Sequence, residues 1–158
     1  MKWIRYVAVA AVTLAGLGVA RAEDWKPVGE FGYFGVGKAM EIEKGHLYWV
    51  GEFGGTFLSD KKAGLFDHAG VRCPGFNDLD VNQKKGRAAG YCIVSDNAGD
   101  QAFLSWNCEG DTKQCKGTFN YTGGTGKFEK ISGSNTFAAA IAVHWKDGMV
   151  SGAATWNR

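Results

Sequence analysis

Apolar and polar side chains alternate with a period of two along most of this chain, and glycine-rich or Asp/Asn-rich breaks separate the alternating runs. That is the signature of half-buried β-strands joined by tight turns. Residues 31–42 read as a first, glycine-softened strand, and Glu43-Lys-Gly45 as the turn after it. Residues 46–59 form a long second strand, with Trp49, Phe53 and Phe57 on one face and Tyr48, Glu52 and Thr56 on the other. A charged turn, Asp60-Lys-Lys-Ala-Gly64, follows. Residues 67–85 predict one short strand around Val71-Arg-Cys73 and then a long loop, Pro74-Gly-Phe-Asn-Asp-Leu-Asp-Val-Asn82. Proline, glycine and Asx residues are turn formers, and long ordered loops at barrel mouths often carry function.

Residues 87–95, 101–108 and 115–122 predict a three-strand meander turned at Asp96-Asn-Ala-Gly-Asp100 and at 109–114. Symmetric hairpins set Cys92 opposite Leu104 and Leu104 opposite Phe119, with Trp106 opposite Gly117 and Cys108 opposite Cys115. Cys92, Val94, Leu104, Trp106, Phe119 and Tyr121 then share an apolar, inward face. Residues 136–145 and 149–157 make a last hairpin through Lys146-Asp-Gly148, with a wall of small side chains at Ala138, Ala139, Ala140, Ala142, Ala153 and Ala154. No segment has helical periodicity. The expected fold is all-β: a single antiparallel up-and-down barrel of about eight strands, whose strands must bend and whose glycines at 51, 54 and 55 permit it.

The stretch 108–137 organises the rest. Gly123, Gly124, Gly126 and Gly133 allow a strand to end, bend and restart, and Phe128 and Ile131 tie that corner to the core. A phosphate-binding loop needs a helix directly afterwards, and Lys127-Phe128 leading to Ser132-Gly-Ser-Asn does not supply one. Thr122-Gly-Gly-Thr-Gly-Lys-Phe-x-x-Ile-x-Gly133 resembles the glycine corner of the allene oxide cyclase and dirigent families. The match spans about a dozen residues. The resemblance implies an eight-stranded, calycin-like barrel, often trimeric, acting on hydrophobic small molecules; it transfers a fold and no catalytic group. The Pro-Phe-Thr-Asn type segment of the cyclase pocket has no counterpart here.

Residues 1–22 read as a cleavable signal peptide: a basic head (Lys2, Arg5), an apolar run from Tyr6 to Val19 broken only by Thr13, and Ala20-Arg21-Ala22 at the cut. The run is short for a membrane span of about 20 residues. Residues 23–158 remain as one domain. Losing the three basic residues of the leader leaves 15 Lys/Arg against 16 Asp/Glu, so nothing favours nucleic acid as a partner. Export, to the periplasm or beyond the cell, predicts that Cys73, Cys92, Cys108 and Cys115 are disulfide-bonded, the preferred pairs being 73–92 and 108–115. No Cys-x-x-Cys is present and the three histidines are scattered, so no metal and no cofactor is expected.

Catalytic signatures are absent: no Gly-x-Ser-x-Gly and no His-Glu-x-x-His. His46, His68 and His144 have no evident partner, and Asn77, Asp78 and Asp80 miss the spacing of a calcium loop. Glu52 is the one weak catalytic candidate, since a carboxylate turned into a barrel would be held protonated by desolvation; strand alternation instead favours Glu52 facing water. Tyr48, Glu52, Trp106, Phe119 and Tyr121 are the candidate ligand-binding residues. Three functions follow: an exported barrel that binds a hydrophobic small molecule, a barrel enzyme that cyclises or isomerises one or directs its stereochemistry, and a structural subunit of an envelope or secreted assembly that assembles through the alanine-rich hairpin. An open apolar interior selects the first, an open interior holding Glu52 the second, and a filled one the third.

Overall fold

The computed structural model describes residues 27–62 and 64–157. The leader lies outside these residues. Eight antiparallel strands close into a barrel in chain order, each paired with its sequence neighbours and the last with the first. They are β1 (Pro27–Glu43), β2 (His46–Ser59), β3 (Gly70–Asp80), β4 (Lys85–Ser95), β5 (Gln101–Gly110), β6 (Gln114–Gly124), β7 (Ser134–His144) and β8 (Val150–Asn157). Among the described residues, the one helical element is a single 3-10 turn, Gly126–Phe128, in the connection between β6 and β7.

Alternation decides what fills the interior. Phe31, Trp49, Phe53, Phe57, Val71, Ala88, Val94, Leu104, Phe119 and Phe137 are buried on inward positions, and Ser105, Asn107, Thr118 and Asn120 lie on the opposite face of their strands. The rings make an almost continuous chain: Phe31 to Tyr33 (5.7 Å between centroids), Tyr33 to Phe53 (5.2 Å), Phe53 to Trp106 (6.2 Å) and Trp106 to Phe137 (6.3 Å). Room for two of the largest rings comes from a rung of glycines. Gly37, Gly51, Gly75 and Gly90 lie side by side across β1 to β4. A methyl on Gly37 or Gly51 would strike the Trp49 indole, and one on Gly75 would lie 2.8 Å from Trp106 Cζ2. The two indoles therefore rest on bare backbone.

Two expectations are corrected. Residues 74–80 are strand, not loop: β3 runs unbroken to Asp80, and only residues 81–84 turn. A proline within a sheet removes an N–H from the ladder. Here the pairs between β3 and β4 skip from Arg72–Ile93 to Gly75–Gly90, and the carbonyl of Tyr91, across from Pro74, accepts the Trp106 indole N–H at 3.3 Å instead. The second correction is the register of β5 against β6, which pairs Leu104 with Tyr121, Trp106 with Phe119 and Cys108 with Gly117. The turn is tighter than a symmetric six-residue loop, because the Asp111 carboxylate accepts the backbone N–H groups of Lys113 (2.7 Å) and Gln114 (2.9 Å). From Leu104 to Gly110 the slip is two residues, which keeps each side chain on its expected face, and a bulge between Phe103 and Leu104 adds one more.

Both disulfides form with the expected partners, Cys73 with Cys92 and Cys108 with Cys115. The first joins directly opposed positions of β3 and β4, with Cα atoms 4.0 Å apart. The second is diagonal across the β5–β6 hairpin, with Cα atoms 5.6 Å apart.

Candidate functional site

The strand ends divide the barrel into two dissimilar mouths. One carries the connection from β2 to β3, the β4–β5 turn and the glycine corner between β6 and β7. It is sealed. Phe128 is fully buried and stacks on Phe66 at 5.2 Å, and Phe66 in turn stacks on Tyr121 at 6.0 Å. Phe57 and Trp156 stack at 3.8 Å beside them, and Ala69 is buried in the same layer. The corner keeps its shape through Gly126, at φ +52°, where any side chain would run into the Asp100 carboxylate. That carboxylate accepts the Lys127 backbone N–H at 3.2 Å, so the site a phosphate loop would offer to an anion is taken by the chain itself. Gly124 serves differently from the expectation: it does not take positive φ, and what excludes a side chain there is the close approach of the Phe128 and Gln101 carbonyls.

The other mouth opens between the ends of β3 to β7. Inside lies a cavity of about 130 Å³. Its wall is made by Phe31, Tyr33, Phe53, Trp106, Phe119 and Tyr121 with Leu104, Phe137 and Trp156, and both cystines contribute sulfur. Polar side chains gather at the rim, where Asn77, Arg87 and the β5–β6 turn (Asp111, Thr112, Lys113, Gln114) border the opening. Arg87 is held there by Asp78, to which its Nε and Nη2 donate at 2.9 and 2.8 Å.

Of the candidate ligand-binding residues, the structure brings Trp106, Phe119 and Tyr121 together on the cavity wall. Tyr48 and Glu52 are not among the lining residues. Both occupy outward positions of β2, because Trp49 and Phe53 take the inward ones. Tyr48 stacks on Phe76 at 5.6 Å. Glu52 receives the Arg72 guanidinium through both oxygens, at 2.5 and 2.7 Å, and that contact holds its carboxyl below the ordinary range. An ionised, ion-paired surface carboxylate is the opposite of the desolvated acid that a lumen-facing Glu52 would have been.

Sequence reasoning missed Tyr33, Phe66 and Asn77 as lining residues. Phe66 was hidden in a charged turn, though an aromatic ring in such company is itself a signal of packing. Tyr33 lies across from Gly152, whose missing side chain leaves space for the phenol, and its hydroxyl donates to the Ala140 carbonyl at 3.0 Å. Among the described residues, the titratable groups on the deep wall are Tyr33 and Tyr121, and burial pushes each up to about 12.

The histidines stand apart from the cavity. His46 Nε2 meets Asp78 Oδ1 at 2.5 Å, which raises the imidazole above its usual value, and His68 Nδ1 meets Asp67 Oδ2 at 2.8 Å. Among the described residues, no three His, Cys, Asp or Glu side chains converge to hold a metal ion. No protein-family model, no curated protein and no solved structure matches this chain.

Proposed function

We propose that this barrel binds a hydrophobic small molecule in its lumen. The observation that carries the reading is the character of the cavity: closed at one end, open at the other, walled by aromatic rings and sulfur, with its charges confined to the rim. Apolar clefts with a few convergent polar groups are the usual form of small-molecule sites. The volume of about 130 Å³ suits one small ring; an engineered apolar cavity of about 150 Å³ in another protein takes up benzene.

The enzyme reading has less support. Its carboxylate, Glu52, faces away from the lumen, and the two phenols on the wall stay protonated at neutral pH, able to donate a proton but not to accept one as a base. The cysteines, all paired, support an oxidising compartment, periplasmic or secreted.

Native mass spectrometry of protein purified from its source tests the proposal. The expected result is a mass excess that disappears on organic extraction, the extract containing an apolar compound. Recombinant protein titrated with toluene gives the second arm. At about a hundred times the dissociation constant, bound toluene adds about 2.7 kcal/mol of stability. No mass excess together with no toluene-dependent stabilisation would mean that the lumen binds nothing of this kind.

A further inference from the structure

The deep wall of the cavity has few polar atoms, and nearly all are committed. The Tyr33 hydroxyl donates to the Ala140 carbonyl and the Trp106 indole N–H to the Tyr91 carbonyl. At the rim, the Asp111 carboxylate is occupied by two backbone N–H groups and Arg87 by Asp78. Tyr121 differs. Its hydroxyl has no hydrogen-bond partner among the described residues, although the ring is fixed on both sides, stacked on Phe66 at 6.0 Å and meeting Phe119 edge-on at 5.5 Å. Among the described residues, no side-chain N or O atom is both sealed from solvent and unpartnered, so this hydroxyl retains open space beside it. A hydroxyl that is held still, beside an apolar void, without a partner, is a donor waiting for an acceptor.

We propose that Tyr121 is the specificity-determining residue of the lumen, and that the ligand is a one-ring, otherwise apolar molecule carrying a single hydrogen-bond acceptor, such as a carbonyl oxygen, that receives the Tyr121 hydroxyl proton. This rests on the lumen-binding reading above and names the chemistry the site selects. Burial supports the role, because a phenol raised to about 12 is a donor across the physiological range. A site built around one fixed donor discriminates by hydrogen bonding where apolar contact alone does not.

The test uses two compounds of nearly one shape, acetophenone and α-methylstyrene, which differ by a carbonyl oxygen against a methylene. Their dissociation constants are measured by calorimetry on the wild-type protein and on Tyr121→Phe. The ratio of the two constants cancels most of the difference in their hydration, so the change in that ratio reports the hydrogen bond. The expected change is a loss of about three- to ten-fold in preference for acetophenone on Tyr121→Phe. Tyr91→Phe, an exposed phenol that does not line the cavity, leaves the ratio unchanged. A reading on the unmodified protein covers the case of a variant that does not fold: the infrared carbonyl stretch of bound acetophenone lies below its frequency in alkane. If both compounds bind and neither the ratio nor the carbonyl frequency moves, the assignment of Tyr121 is overturned while lumen binding stands. If neither compound binds the wild type, the reading beneath it falls as well.

Discussion

Phe128 closes one end of the barrel, and removing its ring tests whether that closure is packed as described. The side chain is fully buried, the largest to be so among the described residues, and it stacks on Phe66 at 5.2 Å. Phe128→Ala deletes a ring whose backbone is held by the Gly126–Phe128 turn and by the Thr125 carbonyl, 2.9 Å from the Phe128 N–H, so the surroundings have little freedom to collapse into the hole. Losses for a buried Phe of this kind run to about 3–5 kcal/mol, the transfer of the ring plus the cavity left behind. For a domain of this size that corresponds to a fall in Tm of about 10–20 °C. Urea titrations followed by near-UV circular dichroism and by Trp fluorescence supply the free energy, and the slope with denaturant should be that of the wild type. Phe128→Leu, which keeps an apolar volume in place, should lose about half as much or less. A midpoint for Phe128→Ala within about 1 kcal/mol of wild type would refute the account, since no tightly packed plug tolerates that deletion so cheaply.

The glycine rung makes a second prediction. Gly90→Ala sets a methyl against the Pro74 carbonyl, which is backbone and cannot yield, and 3.0 Å from Trp106 Cζ2; about 1–3 kcal/mol should be lost, and the Trp106 contribution to the near-UV spectrum should change. The disulfides close loops with sequence separations of 19 and 7. Chain entropy gives about 3 kcal/mol for the Cys73–Cys92 bridge and about 2.5 kcal/mol for Cys108–Cys115. Urea melts of Cys73→Ala/Cys92→Ala and Cys108→Ala/Cys115→Ala should each shift by amounts of that order, and a shift below about 1 kcal/mol in both would contradict the loop argument. The His46–Asp78 pair sets a pH dependence. His46 is raised by its bond to Asp78, so its contribution is complete below the unfolded value near 6.5 and is lost as pH rises through the folded value above it. Asp78 is depressed, chiefly by His46 and then by Arg87, so its contribution holds above the unfolded value near 3.9 and is lost as pH falls through the folded one. Stability measured against pH for wild type and His46→Gln should therefore differ more at pH 5.5 than at pH 9. A constant gap would show that the pair does not titrate as a pair.

Much of the fold was legible because the barrel uses the simplest of codes. Trp49, Phe53 and Phe57 are inward because they share the parity of one strand face, and Lys146-Asp-Gly148 turns the chain because Gly148 reaches φ +87°. The wall residues Trp106, Phe119 and Tyr121 were found on the same parity, which survives a two-residue slip of register. What stayed hidden depends on partners distant in the chain. Pro74 reads as a strand breaker until the indole of Trp106 is seen beside the Tyr91 carbonyl. Tyr48 and Glu52 sit among glycines and aromatics, but Gly51 makes space for the Trp49 indole rather than for a ligand. Tyr33 and Phe66 could be placed on the wall only once Gly152 and Tyr121 had been brought to them by closure of the barrel.

A vessel with a single opening imposes an order on traffic. Because Phe128, Phe66 and the Phe57–Trp156 pair stopper the far side, a guest of the kind proposed above would leave by the passage through which it came, past the turn clasped by Cys108 and Cys115. A newcomer cannot push a resident out from behind. Departure would then be a first-order event, its rate indifferent to how much competitor waits outside, and the way out would run along that sulfur-clasped turn.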